Sequence, residues 1–241
     1  KNIKNKNLIS YLAKDEDRQT TLKQRFQADG KTLLKVSHLV QDSIDEKTQD
    51  YLFSSFEKII NEVDMVVFSD FNYGCLPQKL VDKMVKKAKS LKKLLVADSQ
   101  SSSQVGDISR FKEMDIIFAT EREARISLKD QEAGLVVLAE SLKGRSKAKN
   151  IFLKLGPQGV LLHIASKGSE YITDRLDAPN KNPKDTSGAG DSMLISSCLS
   201  LLAGASLWEA ACIGNLASAI QVGRTGNIPL TKKDFSLILD Q

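Results

Sequence analysis

The chain has 241 residues, 41% hydrophobic and 27% charged, with a formal net charge of +5 and a pI near 9.0. This is enough apolar material for one sizeable core, which argues for one large α/β domain and against disorder. No apolar run approaches the roughly 18 residues of a membrane span, and the basic stretch from Lys1 to Lys6 lacks the long apolar run and small-residue cleavage site of a secretory leader. Cys75, Cys198 and Cys212 form no CxxC pair, and His38 and His163 lie far from them in sequence, which argues against structural zinc and for a reducing, cytoplasmic setting.

In chain order, the segments at Thr20–Gln27 and Thr32–His38 flank Ala28-Asp29-Gly30 and predict an antiparallel hairpin. A strand–helix alternation follows. Val63–Phe68 reads as a buried strand, and Pro77 opens a helical pattern running to about Lys92. The lysines at 83, 86, 87, 89, 92 and 93 read as its solvated face; without interleaved aromatics they give no support for nucleic acid. Leu94–Ala97 and Met114–Phe118 are further strands, 120–128 and 131–142 helices, and Ile151–Leu155 another strand. Gly156-Pro157-Gln158-Gly159 then turns the chain into a returning strand, Val160–Ile164. His163 on it reads as structural, since a lone histidine lacks partners for chemistry. Helices close the chain at 189–202, 206–222 and 232–239, with Ser206 and Glu209 as a capping box and Trp208 as a packing residue. Continuous apolar strands separated by helices predict a mostly parallel sheet covered on both faces. Asp70 and Asp98 each follow a predicted strand, where the ligand crevice of such sheets lies; a ligand-facing role and a structural cap both remain open for them.

The strongest chemical signal is Asp185-Thr186-Ser187-Gly188-Ala189-Gly190-Asp191, running directly into an apolar helix. Small residues let an anion approach the free N–H groups of the first turn, where the helix dipole favours negative charge. A carboxylate just after the last glycine can take the proton of an attacking hydroxyl. The plain alternative is a glycine-rich turn with Asp191 as a helix-start carboxylate.

This string resembles the DTxGAGD signature of the PfkB/ribokinase family of carbohydrate kinases. The resemblance implies Asp191 as catalytic base and Gly188, Ala189 and Gly190 as an anion hole. It is not a Walker P-loop, since no Lys-Ser/Thr follows the glycines. Leu155–Val160 is similar to the family's LGxxG hairpin beside the nucleotide, which adds Lys154, Gly156 and Gly159 to the nucleotide-binding set. Asn215 resembles a position on a helix bordering adenine and ribose, and Gly226 belongs to the glycine turn after that helix. Ser69–Gly74 and Arg18–Arg25 resemble the SDYxKG and RPTxxKxR stretches of the heptose-phosphate kinase branch. Thr120-Glu121-Arg122-Glu123 aligns with the family's NxxE motif, implying a magnesium role for Glu123, with the solvated helix-start carboxylate as alternative.

There are departures. Thr120 replaces the Asn of NxxE, Tyr73 replaces the Lys of SDYxKG, and nothing like the family's Gly-Gly-Asn sugar-binding segment precedes Arg18. The resemblance therefore implies a PfkB-type domain over 1–241, N-terminally incomplete, with a ribokinase-like three-layer α/β/α sandwich and 19–38 as a lid hairpin. It implies transfer of the γ-phosphoryl group of ATP, with Mg2+, to a sugar or sugar-phosphate hydroxyl, and K+ near Asp185. A homodimer is expected, with no nucleic-acid or membrane partner. The rival is a nucleotide-binding module without catalysis.

Overall fold

Apolar side chains alternate along the central strands with period two, and that alternation builds two separate cores. The structure, a computed structural model, describes residues 8–28, 31–101, 105–166 and 170–239. β1 (Leu22–Ala28) and β2 (Lys31–His38) form an antiparallel pair; residues 29 and 30 of the expected turn lie outside the described residues. α1 (Glu46–Ile59), β3 (Met65–Asp70), α2 (Gln78–Ser90), β4 (Leu94–Ser99), β5 (Ile116–Thr120), α3 (Glu121–Leu128), α4 (Leu135–Ser146) and β6 (Asn150–Lys154) follow. β7 (Val160–Ala165), β8 (Tyr171–Leu176), α5 (Ala189–Leu202), α6 (Leu207–Val222) and α7 (Lys232–Leu239) complete the chain. The main sheet has the order β3-β4-β5-β6-β7-β8, parallel through β6 and antiparallel thereafter.

One core gathers Leu95, Ala97, Ile117, Ala119, Ile151 and Leu153 under α2 and α4, with Phe53 and Phe56 of α1 packed against it. The opposite face supplies Val96, Ile116, Phe118 and Phe152 to Met193, Leu194 and Cys198 of α5, with Trp208 of α6 packed alongside. The rings of Phe118 and Phe152 meet edge-on at 4.8 Å. Each such fully buried side chain contributes about 1.5–3 kcal/mol. The result is the expected three-layer α/β/α sandwich.

Several boundaries move and two elements are new. The strand expected at 63–68 forms at 65–70, and the helix expected at 131–142 forms at 135–146. α1 and β8 had no counterpart in the sequence reading. The Ser206–Glu209 capping box forms as read, with Glu209 N–H donating to Ser206 Oγ at 3.3 Å and Ser206 N–H to Glu209 Oε2 at 2.8 Å. His163 is structural but not partnerless: it bonds Glu140 at 2.7 Å and Thr173 at 2.6 Å and stacks on Tyr171.

The parallel register brings Asp70, Asp98, Thr120 and Lys154 to the carboxyl ends of four adjacent strands. Arg18 ties the start of the hairpin to this edge. Its guanidinium donates to the carbonyl of Tyr73 and, at 2.7 Å, to that of Val40.

Candidate active site

The turn before α5 is shaped by its first residue. Asp185 accepts the N–H of Ser187 at 2.9 Å and that of Gly226 at 3.0 Å, tying the loop to the turn after α6. These amide bonds, Ser187 foremost, hold its carboxyl below the usual range. Gly188 then adopts φ +78°, where a Cβ is strained and would also collide with the Asn227 side chain. No side chain caps α5, so its first turn is left open to a ligand.

α5 starts against the end of β6. A Cβ added at Gly190 would stand 3.4 Å from Lys154 Nζ, in ordinary contact with it, so the start of α5 lies directly against the Lys154 ammonium. Lys154 donates to Asp98 Oδ1 at 2.7 Å; both side chains are largely buried, 13% and 2% exposed. Burial alone would lower the Lys154 pKa, but Asp98, Glu123 and Asp191 together outweigh it and push the value up, so the ammonium stays charged. Asp191, half-buried, moves the other way from most carboxylates. Burial raises its pKa, Asp98 adds to the rise, and Lys154, a 3.4 Å hydrogen bond from Gln100 Nε2 and Lys23 oppose it. A carboxylate raised by burial and a like charge beside a cleft is a stronger proton acceptor than a surface aspartate.

That cleft has a volume of about 280 Å³ and runs along the uncapped start of α5. Of the residues singled out from sequence, Lys154, Gly156, Gly159, Ala189, Gly190 and Asn215 line it, as does Thr120. Gly159, at φ +92°, is forced, because a Cβ there would overlap the carbonyl oxygen of Leu176. Asn215 is buried and spends its amide on the Asp177 carbonyl at 2.8 Å. Asp191, Glu123, Asp185, Gly188 and Gly226 are not among the cleft's lining residues; Asp191 follows Gly190, which is, while Asp185, Gly188 and Gly226 shape the adjoining turn.

Glu123 is not a solvated carboxylate. It is 8% exposed, accepts Thr120 N–H at 2.7 Å in a capping box, and accepts Ser101 N–H at 3.2 Å. Among the described residues no three His, Cys, Asp or Glu side chains gather into a ready-made metal cage. Asp70 is neutralised by Arg110 at 2.8 Å and accepts Asn72 N–H at 3.0 Å. Tyr73, in the place of the Lys of the resembled motif, stacks on Phe71.

Sequence reading missed three neighbours of Asp191. Asp98 had a strand-end signal but no assigned partner; Gln100 and Lys23 had none, since only the fold brings positions 91 and 168 residues away to the same carboxylate.

The sequence pattern of the pfkB family carbohydrate kinase matches residues 1–233. Bifunctional protein HldE of Helicobacter pylori is 30% identical over 237 residues, covering 96% of this chain and 49% of that protein. The chain thus spans about half the length of the curated relatives it matches. Among solved structures, ribokinase from Giardia lamblia superposes with a TM-score of 0.70 at 18% identity, over 91% of this chain and 72% of that one. Phosphofructokinase-2 from Escherichia coli in complex with potassium gives 0.67 at 19% identity, over 86% and 66%. At those identities the structural likeness carries the fold alone. No helix among the described residues is long and apolar enough to cross a membrane.

Proposed function

The chain belongs to the pfkB family of carbohydrate kinases, and from that premise we propose that it transfers the γ-phosphoryl group of ATP to a hydroxyl of a sugar phosphate, with Asp191 as general base. The observation that carries this reading is the half-buried Asp191 carboxylate, its pKa raised by burial and by Asp98, at the open start of α5 beside a cleft of about 280 Å³.

ATP lies with its base and ribose toward Asn215, Ala219 and Val222 and its phosphates toward Gly190 and Lys154, all of which line the cleft. The N–H groups of the Gly188–Gly190 turn and the positive end of α5 hold the charge that grows on the transferred group. Asp191 takes the hydroxyl proton as the acceptor oxygen bonds to the γ-phosphorus and the bond to the β–γ bridging oxygen breaks, releasing ADP. Lys154, kept charged by three carboxylates, faces the same phosphates. Gln100 orients the base through its 3.4 Å hydrogen bond.

Mg2+ suits the residues present. The carboxylates of Asp98, Glu123 and Asp191 surround one ammonium and leave an excess of negative charge, yet no closed protein cage forms. A metal held through water and substrate phosphates fits that arrangement, with Glu123 at N3 of α3 holding its water, and it would neutralise phosphate charge. K+ also fits. Gln221 of α6 donates to the carbonyls of Ser187 and Gly226, in the two turns that Asp185 ties together, at 3.1 Å while its own Oε1 is buried without a partner. An oxygen-seeking cation there would satisfy that atom.

A seven-carbon sugar phosphate is the favoured acceptor, supported by the 18–25 and 69–74 segments and by the likeness to HldE. The enzyme works in the cytoplasm. We place it in a homodimer, because Leu22, Phe26, Leu33 and Leu34 of the two-stranded lid are all more than half exposed and such a pair is marginal alone. The test is to incubate the full natural chain with ATP, Mg2+ and seven-carbon sugar phosphates and weigh the products. A gain of one phosphoryl group supports the kinase; ATP bound with no acceptor modified supports the nucleotide-binding module instead.

A further inference from the structure

Two connections far apart in sequence bring lysines together at the amino ends of the central parallel strands, the end of the sheet opposite Asp98 and Lys154. Lys89, Lys92 and Lys93 close α2 and lead into β4, while Lys147 and Lys149 lead from α4 into β6. With Glu113 and Asp115, which precede β5, they line a polar groove of about 530 Å³. Backbone bonds fix its walls against one another. Glu113 N–H donates to the Ser146 carbonyl at 2.8 Å, Asp115 N–H to the Leu95 carbonyl at 2.8 Å, and Lys149 N–H to the Met114 carbonyl at 2.9 Å. Both carboxylates are spent. Glu113 pairs with Lys89, and Asp115 accepts from Lys149 Nζ at 2.7 Å and from Leu95 N–H at 2.8 Å. Among the described residues no carboxylate lies within ion-pair distance of Lys92, Lys93 or Lys147; Lys93 donates to the Asn61 carbonyl at 3.3 Å, which cancels no charge. Five lysines against two carboxylates leave three positive charges on one concave surface.

Two of these lysines sit where a helix end is best served by glycine. Lys92 has φ +55° and Lys147 φ +57°, both in the left-handed region. A cation near a helix carboxyl end is favourable, but that need is already met: α2 carries Lys87 and Lys89 in its last turn, and α4 carries Lys143 and Arg145. Glycine at 92 and 147 would relax the backbone; lysine there keeps charge on the groove. The lining also narrows the ligand. No aromatic ring belongs to it, and its exposed apolar surface is Leu94, 39% exposed, so it offers neither a stacking face for a base nor the aromatic anchors of a protein interface. Ammonium groups bind phosphate oxygens as point charges, and a groove of this volume is of small-molecule size.

We propose that this groove is a second anion site, separate from the cleft at α5, which binds a compact polyphosphate through Lys92, Lys93 and Lys147. The test is calorimetric titration of the full natural chain with inorganic tripolyphosphate, the α5 cleft being filled with a non-hydrolysable ATP analogue. Binding is expected to persist with the analogue present and to weaken as salt rises. Lys92→Gly combined with Lys147→Gly weakens it roughly 3- to 30-fold, the loss of two exposed ion pairs, while the thermal midpoint holds or rises because both left-handed positions are relaxed. Lys232→Gln combined with Lys233→Gln removes the same charge from exposed positions on α7 and leaves the affinity unchanged. No binding in the presence of the analogue, or an equal loss in both double variants, overturns the proposal by reducing the effect to the cleft or to net charge. A lower midpoint in the glycine pair overturns it by returning both lysines to helix capping. An octaglutamate peptide that depends on the same lysines and binds more tightly than tripolyphosphate overturns it in favour of an acidic protein surface.

Discussion

Asp191 carries opposite consequences for stability and for chemistry. Its pKa is raised in the folded chain by burial and by Asp98, so the native state holds the proton more tightly than the unfolded state does. The stability this provides is complete below the ordinary value near 3.8 and is lost as pH rises through the higher folded value. At neutral pH the ionised carboxylate is thus a destabilising group. Asp191→Asn should raise the thermal midpoint at pH 7, and the gain should shrink toward zero as the wild type is titrated below pH 4 or so; a calorimetric melting series over pH checks both. Lys154 is the converse. Lys154→Met leaves Asp98, 2% exposed, without its partner, and should lower unfolding free energy by about 3–5 kcal/mol in urea titration, with Asp98→Asn added to it recovering part of the loss. Asp191 and the glycines before it were legible because the small-residue turn, the carboxylate and the apolar helix are contiguous. Glu123 was half-legible: its position showed, but its burial did not, because the amides of Ser101 and Thr120 that hold it belong to a neighbouring strand end and its own cap. Asp98–Lys154 was invisible, since a register that pairs β4 through β5 to β6 is a property of the whole sheet.

Among the elements, the β6–β7 hairpin depends most sharply on one residue. Gly159 combines φ +92° and ψ −132° with a backbone neighbour, the Leu176 carbonyl of β8, where a Cβ would go. Gly226 has φ +82° and open space around it. Gly159→Ala should therefore destabilise by at least the about 1–3 kcal/mol of a strained backbone, and clearly more than Gly226→Ala, where only the left-handed conformation is penalised; chemical denaturation of the pair tests this. Central strands were readable because burial on both faces writes an uninterrupted apolar run. α1 and β8 were not. Among its described residues α1 fully buries only Ser55, and its apolar Leu52, Phe53 and Phe56 are interspersed with polar positions. β8 is a short strand, mostly exposed or half-buried, at the sheet edge, with Asp174 and Arg175 adjacent in it. In both, position in the assembled sandwich decides the conformation.

For the whole molecule, the cleft proposed for ATP lies against β5–β7 and α5–α6, while Lys23 of the hairpin, over the rings of the β3 turn, acts on Asp191 from β1. Asp191 is the point at which both halves meet, and the account rests on its taking a proton there. The decisive measurement is the rate of phosphoryl transfer from ATP to the sugar phosphate by wild type and Asp191→Asn, with ATP affinity measured alongside. The account predicts a fall in kcat of roughly 10²- to 10⁴-fold with ATP binding retained; an Asp191→Asn enzyme that turns over at the wild-type rate would contradict it.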